Sequence, residues 1–442
     1  MTQPAGSTQN LTTTRASALY IGALLGPGLL LLPGLAAAQA GPASILAWLA
    51  LLGLSGLFAA VFSAFGRTSP SAGGVMGYVA TGLGARAGRV TGWSFLAAVV
   101  CGAPIVCLIG ASYVAGLTGG GQLVRAAVAA ALLMTVLALA AGGLRASTGA
   151  QLVLVGLLAG VVTVAVAGSA ASERAANWAP FAPHGWSSVG HAATTLMLSF
   201  VGWEAVAPLT TRFASPSRQL PRVIAIALAA TTALYLGLAI ATIGVLGPGA
   251  ATSVPLAGLL DRAVGPAGAA AAAVAAVVLT LGAVNAYVTG AATMARQLAG
   301  PAPALGRNPR PSPLFLAAIA AAGLLLITLY GLRLVSTAAL VAVPTALFLS
   351  VYLACMAAAV RVLRGGGRLA AVPAALAVAV MLAYCGWALA VPAVVALAVG
   401  WRGRGSGRRS HLGLAPAAAR PTIALPADQA PEVPGCGCRR AA

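Results

Sequence analysis

The sequence predicts an all-α polytopic membrane protein, and three observations carry that fold class. The 442 residues are 60% hydrophobic and only 7% charged, with a mean hydropathy of +0.97, whereas soluble domains carry about 25% charged residues. Apolar runs long enough to cross a bilayer, roughly 17 to 25 residues each, recur about twelve times along the chain. The arginines also sort by side as these runs cross: 21 of the 25 fall on one face and four on the other, the bias that marks a cytoplasmic side.

Taken in order, residues Met1 to Thr14 are polar and uncharged and lack a basic n-region with a cleavage site. A cytoplasmic N-terminal segment over 1–15 is expected, not a cleaved signal peptide. A transmembrane domain follows over 16–400, with spans near 17–39, 43–65, 92–117, 124–142, 150–169, 190–211, 223–246, 267–294, 313–331, 334–360, 369–385 and 387–401. The last two, helices 11 and 12 over about 369–400, are read as a hairpin turning at Tyr384-Cys385-Gly386-Trp387 near an interface. Only Arg125, Arg174, Arg262 and Arg333 fall on the outer side, where Glu173 and Asp261 are solvated loop residues. Both termini are therefore expected in the cytoplasm. From Arg402 the chain turns Arg-, Pro- and Gly-rich, so residues 401–442 are expected to form a disordered basic tail.

The formal charge of +20 is scattered between spans and not gathered on one domain. It is a topology signal, with membrane lipids and not nucleic acid as the partner. Lysine is absent, and the Ala/Gly/Arg bias reads as a GC-rich coding background in a bacterial inner (plasma) membrane. Cys101, Cys107, Cys355 and Cys385 sit in apolar spans as small hydrophobes. Cys436 and Cys438 in the tail, like His184 and His191, supply too few ligands for a structural zinc site. The inner loop from Arg67 to Arg89 lacks the spacing and lysine of a phosphate-binding loop and reads as a gating or packing loop. No cofactor is expected, and no nucleophile, base and orienting group converge, so an enzyme is disfavoured.

Only one acid lies inside an apolar span: Glu204, in the run Ser199-Phe200-Val201-Gly202-Trp203-Glu204 with Pro208 one turn on. A carboxylate at that depth costs roughly 2.5 to 3.5 kcal/mol on insertion scales, and intramembrane acids mark cavities, partners or proton relays. Two readings of Glu204 stay open, a proton carrier and a structural acid. Gly202 weakens the helix just before it. Five spans earlier, span 1 carries Gly22, Gly26, Pro27, Gly28, Pro33 and Gly34. A matched pair of Gly/Pro-interrupted spans points to an inverted repeat whose breaks meet near the bilayer midplane. Repeat one would cover about 16–170 and repeat two about 190–360. A half-helix starting after Gly28 would offer backbone N–H groups to a carboxylate, and carbonyls released around Phe200 to Gly202 would suit an ammonium. Together they describe an α-amino acid held by its zwitterionic end, with Phe200 and Trp203 as candidates for its apolar pocket. Gly22 is read as a close helix-packing position. No second membrane carboxylate is present to favour sodium.

These same residues resemble the amino acid-polyamine-organocation transporters. The likeness runs over roughly residues 16 to 400. It is carried by Gly26-Pro27-Gly28 with Pro33, the inner loop Gly66-Arg67-Thr68-Ser69-Pro70-Ser71-Ala72-Gly73-Gly74, Arg89-Val90-Thr91-Gly92-Trp93, and Phe200-Val201-Gly202-Trp203-Glu204 followed by Ser215-Pro216-Ser217-Arg218-Gln219-Leu220-Pro221-Arg222. Within that family the chain is most similar to bacterial exporters of L-methionine and branched-chain amino acids. The resemblance implies a LeuT-like five-plus-five inverted repeat with broken helices 1 and 6 and two further C-terminal helices. It also implies alternating access, and proton-driven movement of small neutral amino acids such as methionine, leucine, isoleucine and valine. It assigns Gly26 and Gly28 to the carboxylate loop, Phe200, Val201 and Gly202 to the amino-group segment, Glu204 to the acid after it, and Asn285 in span 8 to a matching position. Two departures stand out. Pro27 lies where the family often has Ser or Thr, removing a hydroxyl and an N–H, and Trp203 replaces a smaller residue, which would narrow the pocket.

Overall fold

In the computed structural model the described residues are 12–68, 74–143, 148–203, 213, 215–299 and 311–405. Glu204, Pro208, Arg212 and the tail from 406, with Cys436 and Cys438, lie outside them. The described residues form α-helices and short 3₁₀ turns, with no strand among them. Nine of their helical stretches are long and apolar enough to cross a membrane. The physical reason is general: in hydrocarbon, a spanning segment must satisfy its own backbone, and a helix does so within itself. Hydroxyls in the spans follow the same rule. Thr91, Ser112, Thr231 and Thr345 each donate to the carbonyl four residues back, at 2.9, 2.8, 2.8 and 2.7 Å.

Two 34-residue helices, α5 (Ala85–Thr118) and α11 (Pro266–Ala299), pack on each other at the centre of the bundle. They approach closely because Gly110 presents no side chain; a Cβ there would lie 2.6 Å from Thr280 Oγ1. Such small-residue contacts stand in for the hydrophobic drive that is missing between helices in lipid. Around this pair run α1 (Thr13–Leu24), α2 (Leu32–Ala40), α3 (Ser44–Thr68), α6 (Gln122–Ala141), α7 (Thr148–Ser169), α8 (Ser187–Leu196), α9 (Pro216–Leu246), α12 (Pro313–Gly331) and α13 (Thr337–Val362). Helix α1 packs on α7 and α9, α2 on α8, and α3 on α8 and α9.

Two segments expected as loops are helical. Within the segment from Arg67 to Arg89, Gly74–Leu83 forms α4, which buries Val75, Tyr78 and Val79 and stacks Tyr78 on Phe65 at 4.5 Å and 15°. The i, i+3, i+4 pattern is present, but flanking glycines obscure it. Between α9 and α11, Pro255–Val264 forms α10, burying Leu256, Leu259 and Leu260, with Asp261 on its exposed face.

Span 1 is interrupted after its first helix. Helix α1 stops at Leu24, Pro27–Leu30 is a 3₁₀ turn, α2 begins at Leu32, and Gly41 at φ +57 turns the chain into α3. The expectation of a half-helix starting directly after Gly28 is thus corrected: the chain re-enters through a tighter turn, with Pro27 at its first position where proline's missing N–H costs nothing. In span 6, α8 passes into the 3₁₀ turn Met197–Phe200 and then into extended backbone at Val201. At the C-terminal end, α14 (Gly366–Ala383) turns at Tyr384 and Cys385, with Gly386 at φ +53, into the 3₁₀ turn Gly386–Leu389 and then α15 (Ala390–Gly405). Arg86 Nη2 donates to the carbonyl of Gly400 at 2.7 Å, fastening α15 to the start of α5.

Candidate functional site

The two interruptions meet, the 3₁₀ turn after Gly26 touching the one that ends at Phe200. At the first, Gly26 is extended (φ −78, ψ 165) and Pro27 has no N–H. The N–H of Gly28 finds no acceptor among the described residues, and the carbonyl of Leu25 no donor. At the second, Val201 is extended (φ −72, ψ 132) and Gly202 lies at φ +144, a conformation open to glycine and strained for any other residue. Released polar groups in a dry interior need partners, and three tyrosines supply some of them. The Tyr235 hydroxyl lies 2.5 Å from the Leu24 carbonyl and 2.7 Å from that of Ser199. Tyr113 donates to Leu30 O at 2.7 Å, and Tyr352 Oη accepts from Gly202 N–H at 3.2 Å.

Between these breaks and helices α5, α7 and α11 lies a cavity of about 520 Å³. Gly26, Pro27, Gly28, Val201 and Gly202 all line it. It grades from exposed Gly290, Thr293 and Gln297 at one end to buried Ile105, Ile109 and Leu279 at the other. The walls are mostly aliphatic, with Ser199, Gln151 and Tyr287 among the polar side chains and no charged side chain among the described lining residues.

The side chains of three residues expected at the site stand elsewhere. Phe200 is buried between Trp48 and Tyr235, with ring centroids at 6.0 and 5.1 Å. Trp203 is fully buried and donates from Nε1 to Ser55 Oγ at 2.6 Å, so it does not narrow the cavity. Asn285 lies outside the lining, although Gly282, Ala283, Ala286 and Tyr287 of the same helix belong to it; its Oδ1 is buried with no partner among the described residues. For Asn285 helical phase decides, because neighbours in a helix point about 100° apart; around Phe200 and Trp203 the change from a 3₁₀ turn to extended backbone at Val201 and positive φ at Gly202 redirects the side chains. Gly22 meets Val155, as a packing glycine would. Sequence reasoning passed over Ser199 and Tyr287. Ser199 directly precedes the break, and a Cβ on Gly26 would lie 3.4 Å from Tyr287 Oη; adjacency to the glycines was the available signal.

Residues 11–401 match the model of a family described as amino acid permease. The chain belongs to that family. This permease is 32% identical over 399 residues to the uncharacterized amino acid permease YecA of Bacillus subtilis, covering 88% of the chain and 94% of YecA. Over 394 residues it is 30% identical to the L-methionine/branched-chain amino acid exporter YjeH of Escherichia coli, covering 86% and 93%. A shorter match, 27% over 247 residues and 52% of the chain, is to the branched-chain amino acid permease BcaP of Bacillus subtilis, covering 53% of it. The permease is accordingly a multi-pass amino acid transporter and not an enzyme, and the likeness to amino acid-polyamine-organocation transporters holds on independent grounds.

Proposed function

We propose that this permease exports small neutral amino acids, namely L-methionine, leucine, isoleucine and valine, by proton-coupled alternating access. The observation that carries the reading is that both span interruptions open onto one mostly aliphatic cavity with no charged side chain among its described lining residues. A zwitterion can there be met by backbone groups while a hydrocarbon side chain fills the remaining space. Gly26, Pro27, Gly28, Val201 and Gly202 form the zwitterion end. The similarity to YjeH supports efflux and the choice of substrates. In this reading twelve spans form a five-plus-five inverted repeat with two added C-terminal helices, and both termini face the cytoplasm of a bacterial inner membrane. The exposed end of the cavity, at Thr293 and Gln297, then faces inward, as an exporter awaiting cytoplasmic substrate would require. Glu204, two residues after Gly202, carries the proton.

Counterflow of labelled L-leucine and L-methionine in proteoliposomes, with and without an inward proton gradient, tests this. The expected result is gradient-sensitive counterflow in the intact protein and loss of that sensitivity in Glu204→Gln. Counterflow that ignores the gradient in both proteins removes the proton role. A second reading, uptake or exchange on the same scaffold, is favoured by the similarity to BcaP. It predicts that deleting the gene lowers the intracellular amino acid pool instead of raising it.

A further inference from the structure

We propose that Ser199 is a substrate-binding residue whose hydroxyl donates to the carboxylate of the carried amino acid beside the N–H of Gly28. The inference rests on the amino acid reading above and identifies a ligand that the glycine-proline loop itself lacks.

Pro27 contributes no N–H, and the N–H of Gly28 has no acceptor among the described residues. One donor leaves half of a carboxylate unmet, and the described lining holds no cation to neutralise it. Ser199 stands in the opposite wall. Its side chain is only 2% exposed, its Oγ has no partner among the described residues, and it lines the cavity. A Cβ built on Gly28 would lie 3.2 Å from that Oγ, so the hydroxyl and the Gly28 backbone flank the same small space.

An unpaired buried hydroxyl is uncommon, because the group is desolvated for no return. The contrast inside this bundle sharpens the point. Thr91, Ser112, Thr231 and Thr345 all close onto their own helices, whereas the buried hydroxyls of Ser17, Ser169, Thr242, Tyr78 and Ser199 have no partner among the described residues, and of these five Ser199 alone lines the cavity. Its position is also fixed from behind, since the Ser199 carbonyl is held by the Tyr235 hydroxyl at 2.7 Å. A donor that is buried and unspent, on a backbone held in place, next to the free N–H of Gly28, is arranged for an acceptor that arrives from the cavity.

The test compares wild type, Ser199→Ala and Ser199→Thr in nanodiscs. It measures binding of L-leucine and of leucinol, in which a neutral CH₂OH replaces the carboxylate, together with thermal unfolding. A hydrogen bond to a charged group predicts that Ser199→Ala weakens L-leucine about tenfold or more, with leucinol affinity and unfolding temperature unchanged and with Ser199→Thr restoring leucine binding. Unchanged leucine affinity in Ser199→Ala overturns the assignment, as does an equal loss for leucine and leucinol, which would signify a structural role. If wild type binds leucine and only the discrimination fails to move, Ser199 alone is rejected. If wild type binds no amino acid, the functional reading falls as well.

Discussion

The Tyr235 hydroxyl and the Ser199 carbonyl oxygen are 2.7 Å apart, and the same hydroxyl lies 2.5 Å from the carbonyl of Leu24. One side chain on α9 thereby joins the last turn before each interruption, and its single proton is shared between two acceptors. The ring is locked by edge contacts to Trp48 at 5.4 Å and Phe200 at 5.1 Å, so the hydroxyl cannot drift from either carbonyl. Carbonyls released at helix breaks can coordinate a cation in transporters built on broken helices; the Leu24 and Ser199 carbonyls are met here by a phenol.

Tyr235→Phe keeps the ring and removes the proton, leaving two buried carbonyls with one partner fewer. The expected cost is about 1 to 3 kcal/mol, seen as a lower apparent Tm in detergent. An unchanged Tm would mean that the bridge contributes nothing.

Trp203→Phe separates the core from the cavity. The indole is fully buried and its N–H is spent on Ser55 Oγ at 2.6 Å, so the substitution should destabilise by about 0.5 to 1.5 kcal/mol, the worth of one internal hydrogen bond. L-leucine affinity should hold. A large change in Kd with an unaltered Tm would return Trp203 to the site.

Gly290 offers the opposite outcome. It lines the cavity, and a Cβ added there meets nothing within 4 Å, so Gly290→Leu should fill the space without strain. Equilibrium binding should fall at least tenfold while Tm stays put, since a ligand cannot share volume with a close-packed side chain. Retained binding would show that the ligand sits elsewhere.

Gly34→Ala probes the packing of α2. A Cβ there would collide with the backbone carbonyl of Thr252, which has no rotamer with which to yield, so α2 or the segment after α9 must shift. Overpacking of this kind typically costs about 1 to 3 kcal/mol, and thermal unfolding would report it. Wild-type stability in Gly34→Ala would mean that the two segments separate freely.

Much of this architecture was legible because hydropathy and the bilayer constrain the same quantity, span length. The interruption at Gly26-Pro27 was legible too, since proline and glycine act locally on the backbone. Side-chain direction was not. Phe200, Val201 and Gly202 are consecutive, yet Val201 and Gly202 line the cavity while Phe200 turns into the aromatic cluster with Trp48 and Tyr235. That outcome depends on a 3₁₀ turn giving way to extended backbone at Val201, which composition does not encode. Helices α4 and α10 were hidden for another reason: at ten residues each they are too short to span and are flanked by glycine or proline.

The aliphatic walls of the cavity bear on physiology. A hydrocarbon pocket separates ligands that differ by one methylene by only about 1 to 3 kcal/mol, and here there is no buried charge among the described lining residues to reject a near-isostere. For an amino acid carrier, that makes the site a poor judge among leucine, isoleucine, valine and methionine. Which of them crosses at a given moment is then set by the composition of the pool it samples, so under the export reading proposed above the protein acts as an overflow valve for surplus hydrophobic amino acids and not as a dedicated route for one.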